Sequence, residues 1–101
     1  MFFHIIVYTI FVLNQDKVVI FMKRIVEGEK ANIIGEKIRQ ARIRAGMSQM
    51  ELSAQLELLA VYVCRGSISR IENGERAVTD IEVKAIATVL KISPNELFEW
   101  T

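Results

Sequence analysis

SQMELSAQLELLAVYVCRGSISRIENG, residues 48–74, reads as a helix, a turn and a second helix with a hard stop. Ser48 and Glu51 have the S-x-x-E spacing of a capping box, in which side chain and backbone satisfy each other's N–H groups at a helix start. Leu52, Leu56 and Leu59 then form an apolar stripe at the helical period. A second periodic set, Val63, Ile68 and Ile71, runs into Asn73-Gly74, where glycine can take the left-handed conformation that closes a helix. The second helix therefore has an apolar underside and an outer face of Arg65, Gly66, Ser67, Ser69 and Arg70. A small, polar, cationic face of this kind suits the major groove of DNA, which admits a helix and presents acceptors to arginine.

The flanking sequence supplies three further helices with short connections. Asn32 can cap a helix running to about Arg44, with Gly46 just past its end. Its buried stripe is expected to be Ile34, Ile38 and Ala41. Thr79 with Glu82 repeats the capping-box spacing ahead of a helix over 80–90, expected to bury Ile81, Val83, Ile86, Ala87 and Leu90. Ser93-Pro94-Asn95-Glu96 has the spacing a third time, with proline at the first helical position, where its missing N–H costs nothing. A short last helix carries Leu97 and Phe98, and Trp100 follows. The fold class is all-α, five helices in a domain over 27–101.

Residues 1–26 are different in kind. MFFHIIVYTIFVL is almost wholly apolar, Asn14-Gln15-Asp16-Lys17 interrupts it, and VVIFMKRIV resumes. The uninterrupted run is shorter than the roughly 20 residues a membrane-spanning helix needs. It also lacks the basic start and small-residue cleavage site of a secretory signal. Two β-prone runs around a polar break read as a hairpin; a helical or membrane-associating segment and a poorly ordered extension stand as alternatives. Met22 is an alternative start, which would make the first 21 residues an over-called extension.

Composition excludes more than it selects. The net charge of +1 gives no bulk basicity. Its distribution is uneven: residues 35–76 carry seven Lys or Arg against five Glu, whereas 77–101 carry two against four acidic residues. A positive end coinciding with the helix pair is the asymmetry a groove-binding domain needs. The single cysteine excludes an intramolecular disulfide and fits a reducing cytoplasm. One histidine, far from any acidic or cysteine cluster, assembles no metal site. No His/Cys/Asp constellation, glycine-rich phosphate loop or paired carboxylate points to an enzyme. No catalytic residue, cofactor or small-molecule substrate is expected, nor any membrane role.

In this order the motifs resemble the phage repressor/Cro-like (XRE-type) helix-turn-helix family. The matching pieces are I-G-x-x-I-R-x-x-R from Ile34, G-M-S-Q-x-E-L-S from Gly46 and R-G-S-I-S-R-I-E-N-G from Arg65, completed by the 80–90 helix and S-P-N-E-L-F. The resemblance implies a lambda-repressor-like domain that binds double-stranded DNA and regulates transcription, commonly as a homodimeric repressor on a palindromic site. It places Arg65, Gly66, Ser69 and Arg70 at base edges, and a helical wheel with Ile68 and Ile71 inward independently turns Gly66, Arg70 and Asn73 outward. Gly66 offers no side chain, so its contact is lost or replaced by close backbone approach. The resemblance implies phosphate contacts at Gln49, Ser67, Asn73 and Arg76, and a partly buried structural ion pair between Arg42 and Glu72. The dimer surface would be the last helix or the N-terminal apolar segment.

One departure stands out. Leu56 and Val63 are separated by six residues, longer than the family's L-G-V-S type turn and without its glycine. The simplest account extends the first helix to about Leu59 and adds Leu59 and Val61 to the core. Cys64 then caps the second helix, read either as a small buried residue or as a redox-sensitive thiol at a positive helix start.

Overall fold

The computed structural model describes residues 30–99. The N-terminal stretch with its hairpin expectation, and Trp100, lie outside the described residues. Within them are five α-helices and no strand: α1 (Gly35–Arg44), α2 (Gln49–Leu58), α3 (Arg65–Glu72), α4 (Asp80–Leu90) and α5 (Pro94–Leu97).

The helix starts follow from side chains. Ser48 accepts from the Glu51 N–H while Glu51 reaches back to the Ser48 N–H, and Thr79 and Glu82 do the same for α4. Asn32 starts α1 from two residues before its N-cap, its Oδ1 accepting from the N–H groups of Ile34 at 3.1 Å and Gly35 at 2.7 Å. The third box is not made. Ser93 Oγ accepts instead from the Asn95 N–H at 3.3 Å, a tighter local turn that suits a helix of four residues.

The helix ends share one device. After α1, α2, α3 and α4 a single residue takes positive φ: Gly46 at 72°, Ala60 at 60°, Gly74 at 76° and Lys91 at 57°. In each case its N–H, and that of the next residue, return to carbonyls of the last turn, for α2 from Ala60 to Glu57 at 2.9 Å and from Val61 to Leu56 at 3.0 Å. This is the Schellman closure. The lengthened turn after α2 is thus an ordinary helix stop with alanine in the glycine position. It delivers an extended segment, Val61–Val63, which Ser53 pins by donating its hydroxyl to the Val63 carbonyl at 2.7 Å.

The core is one cluster drawn from all five helices, from Ile34 at the N-cap of α1 and from Val63. Ile38, Leu52, Leu56, Ile68, Ile71, Ile86 and Leu97 are its fully buried side chains. Helix α3 packs against α1 and α2, and α4 closes the far side of α2. Gly35 makes the α1–α3 approach possible, since a Cβ there would lie 2.1 Å from the Ile71 carbonyl oxygen.

Two apolar assignments need correction. Leu59 is 47% exposed, because α2 stops at Leu58 and the left-handed step at Ala60 turns the chain; of the pair, only Val61 packs on the core. Ile81 is 68% exposed. It lies about 140° around the α4 wheel from Ile86, at 100° per residue, and Ala85 fills the edge of the buried face instead.

Left-handed backbone costs a non-glycine residue about 1–2 kcal/mol, part of which glycine forfeits through its freer unfolded chain. Ala60→Gly is therefore expected to raise stability by about 0.5–1 kcal/mol, read as a melting temperature higher by a few degrees. An unchanged or lower midpoint would show that Ala60 is unstrained.

Candidate nucleic-acid interface

Helix α3 divides by face as its sequence requires. Ile68, Ile71 and Glu72 are buried; Arg65, Gly66 and Arg70 are exposed; Ser67 and Ser69 are half-buried. The outer face makes few internal bonds. Arg70 donates to Ser67 Oγ at 3.1 Å, and Arg65 makes no side-chain hydrogen bond among the described residues.

Cys64 is the N-cap but is exposed, not a buried small residue. Val63, 3% exposed, takes the inward position one residue earlier, and the extended backbone between them turns the thiol out. The sulfur lies 3.3 Å from Ser67 Oγ and does not cap the backbone by a side-chain bond. The Ser67 hydroxyl, its main-chain N–H and, more weakly, the Gly66 N–H and the Arg70 charge pull the thiol below its ordinary pKa.

The inner end of α3 is held by charge. Glu72 is 5% exposed, and a buried carboxylate must be paired and hydrogen-bonded to be tolerated. Arg42 on α1 supplies a two-pronged bond, Nε to Oε2 at 2.7 Å and Nη2 to Oε1 at 3.0 Å. Gln49, the first residue of α2, donates Nε2 to Oε1 at 3.0 Å. The remaining arm of Arg42 donates to the Met47 carbonyl at 2.8 Å. The Glu72 bond, opposed by partial burial, raises the already high pKa of Arg42. One carboxylate thus joins the end of α3, the body of α1 and the start of α2. An amide nitrogen carries two hydrogens, so Gln49 can hold Glu72 and still present a donor outward.

Residues after α3 are also tied inward. Asn32 donates Nδ2 to the carbonyls of Ile71 at 2.9 Å and Arg76 at 2.8 Å, and Lys30 donates to the Asn73 carbonyl at 3.0 Å. Asn73 itself is exposed. Arg76, expected at a phosphate, points onto Glu82 through Nη1 at 3.0 Å and Nη2 at 2.8 Å, with the Ala77 carbonyl as a further acceptor. The arginine bond leads the causes that hold the Glu82 carboxyl below the usual glutamate range, with the Thr79 N–H assisting. Sequence reasoning did not find Asn32, Ser53 or Glu82 as organisers of this surface. Asn32 and Glu82 showed only as helix-start residues, and the partner of Ser53 lies ten positions away at no helical spacing.

Among the described residues no group of His, Cys, Asp and Glu could hold a metal, and no helix is long and apolar enough to cross a membrane.

A short cationic helix, apolar beneath and held from behind by an ion pair, packed across a second helix with a boxed start, is the working unit of a DNA-binding transcription regulator. The comparisons agree. A helix-turn-helix family model matches residues 38–97, and the chain belongs to that family, the XRE-type, Cro/C1-like regulators, which are not enzymes. It is similar to the control protein C.BamHI of Bacillus amyloliquefaciens, 33% identical over 70 residues that span 68% of this chain and 80% of that protein. It is also similar to the crystal structure of the restriction-modification controller protein C.AhdI from Aeromonas hydrophila. The identity is 31% and the TM-score 0.58, covering 64% of this chain and 87% of that one.

Both buried carboxylates are paired to an arginine. Removing one partner of such a pair leaves the other uncompensated, so Arg42→Ala should lower stability by on the order of 3 kcal/mol in denaturant unfolding. An unmoved unfolding midpoint with weakened DNA binding would instead make Arg42 a phosphate contact. Because Glu82 is depressed in the folded chain, the unfolded chain binds its proton first as pH falls. The stabilisation is fully present above the ordinary glutamate pKa and is lost as pH drops below it. Glu82→Gln should flatten that acid-side loss in a series of thermal melts.

Proposed function

We propose that this regulator is a controller-type protein that binds a palindromic DNA site as a homodimer, with α3 in the major groove of each half-site. The observation that carries the reading is the division of α3, with Ile68, Ile71 and Glu72 locked inward and Arg65 and Arg70 exposed. In this reading Arg65 and Arg70 donate to guanine O6 and N7, and Ser69 and Gly66 face the bases beside them. Gln49, at the positive start of α2, and Ser67 and Asn73, flanking the groove face, meet phosphates and fix register. Arg76 acts through Glu82, holding the connector that follows α3. The exposed arginines of α3 place positive charge on the face that a polyanion would meet.

One similar protein is called a control protein and another a restriction-modification controller protein. By that likeness the chain governs the expression of restriction and modification genes, and we place it as a repressor in the cytoplasm. The bound site is then expected upstream of such genes.

Selection of sites from random DNA tests the reading. The expected product is a palindrome with half-sites about one helical turn apart; recovery of no enriched motif would overturn it. On the selected site, Arg70→Ala should relax one base position at a cost of about 1–3 kcal/mol, whereas Gln49→Ala should weaken all sequences alike. The logarithm of affinity should fall with that of salt by about 0.9 per phosphate contacted. A flat salt response would indicate a protein-interaction module that keeps the fold without the DNA role.

A further inference from the structure

Four of the chain's glycines lie among the described residues, and three of them have an internal reason to be glycine. Gly35 has the Ile71 carbonyl where a Cβ would go. Gly46 and Gly74 close helices at positive φ. Gly66 has neither reason. It is the second residue of α3, its φ is not in the left-handed region, and a Cβ built on it would meet nothing within 4 Å. Glycine is the poorest helix former after proline, since it loses the most backbone freedom and contributes no packing. Alanine would therefore fit and favour the helix. Nothing within the described chain calls for glycine at this position.

What distinguishes Gly66 is its place. It stands in the outward face of α3 with exposed Arg65 beside it and exposed Arg70 one turn on. We infer that Gly66 is a steric specificity determinant: its bare Cα leaves a notch between two long cationic side chains that admits an apolar group projecting from the groove. The notch presents only Cα–H, with no side-chain donor or acceptor. The projecting apolar feature of major-groove base edges is the C5-methyl of a pyrimidine, and that is the group it takes. Thymine and 5-methylcytosine carry the same methyl in the same place. The inference rests on the reading that α3 enters the groove.

The test compares the full chain with Gly66→Ala, selecting sites for both from the same random pool. One position of the enriched motif should change. On the wild-type site Gly66→Ala should bind at least tenfold more weakly, with a melting temperature equal to or above that of the wild type. At the changed position, uracil in place of thymine should weaken wild-type binding about fourfold if thymine supplies the methyl, the worth of one buried carbon. If methylated cytosine supplies it, 5-methylcytosine in place of cytosine should strengthen binding by the same factor. Neither replacement should move Gly66→Ala. An unchanged motif and affinity in Gly66→Ala would overturn the inference and leave the groove reading intact. So would a lowered melting temperature, which would reveal an internal need for glycine. Methyl-independent binding by the wild type would overturn the assignment of the methyl. A wild-type chain that enriches no motif would overturn the groove reading and this inference together.

Discussion

A single carboxylate sets the geometry of the helix pair. Glu72 sits at the last residue of α3 and is almost wholly removed from solvent, where an unpaired charge would be strongly unfavourable. It is satisfied only if Arg42 of α1 and Gln49 of α2 are both brought to it. Ion pairs of this kind contribute little net stability over an apolar substitute, because desolvation offsets most of the attraction. Their leverage is in register. If α3 turned or slid along the core, Glu72 would lose partners that no apolar contact can replace. Ile68 and Ile71 favour burial but would tolerate some rotation; the carboxylate does not.

From that point the rest of the surface follows. With the inner end of α3 tied down, its start is placed by Val63 in the core and by the Ser53 bond to the Val63 carbonyl. The segment between α2 and α3 can then lengthen without disturbing either helix, because α2 ends in a self-contained closure at Ala60. Asn32 performs the matching task behind, its four hydrogen bonds joining the start of α1 to the chain leaving α3. The helix pair is held from its back and its ends, which leaves the outer face of α3 without structural duties among the described residues.

What could be read in the sequence was whatever is decided locally. Two capping boxes, the stops at Gly46 and Gly74, and the stripes of α1 and α3 depend on residues within one or two turns, and they stand as expected. The misreadings arise where a distant neighbour decides. Ile81 looks like a core residue by composition, but the buried face of α4 is set by what α2 and α5 present to it. Leu59 continues the stripe of α2 by period, yet the helix has already closed. Cys64, as a small apolar residue, suits a buried site, but the extended backbone at an N-cap overrides that tendency. Arg76 stands apart from these: its guanidinium bonds Glu82, a carboxylate that in the sequence shows only as a helix-start residue.

The arginines of this surface separate into two kinds by what they already hold. Arg42 and Arg76 each spend their guanidinium on a carboxylate and a carbonyl, in sites largely withdrawn from water. Among the described residues Arg65 and Arg70 hold between them one exposed contact to a serine hydroxyl, and such solvated contacts are weak and easily exchanged. A side chain committed to an internal partner must break that bond to reach DNA and leaves a buried acid behind it. An uncommitted one gives up only water. The burial of Glu72 and Glu82 therefore sorts the cations: it draws in two arginines as framework and leaves the two on α3 available to a ligand. This sorting, which the near-neutral net charge conceals, is what makes one face of a small domain suited to a polyanion.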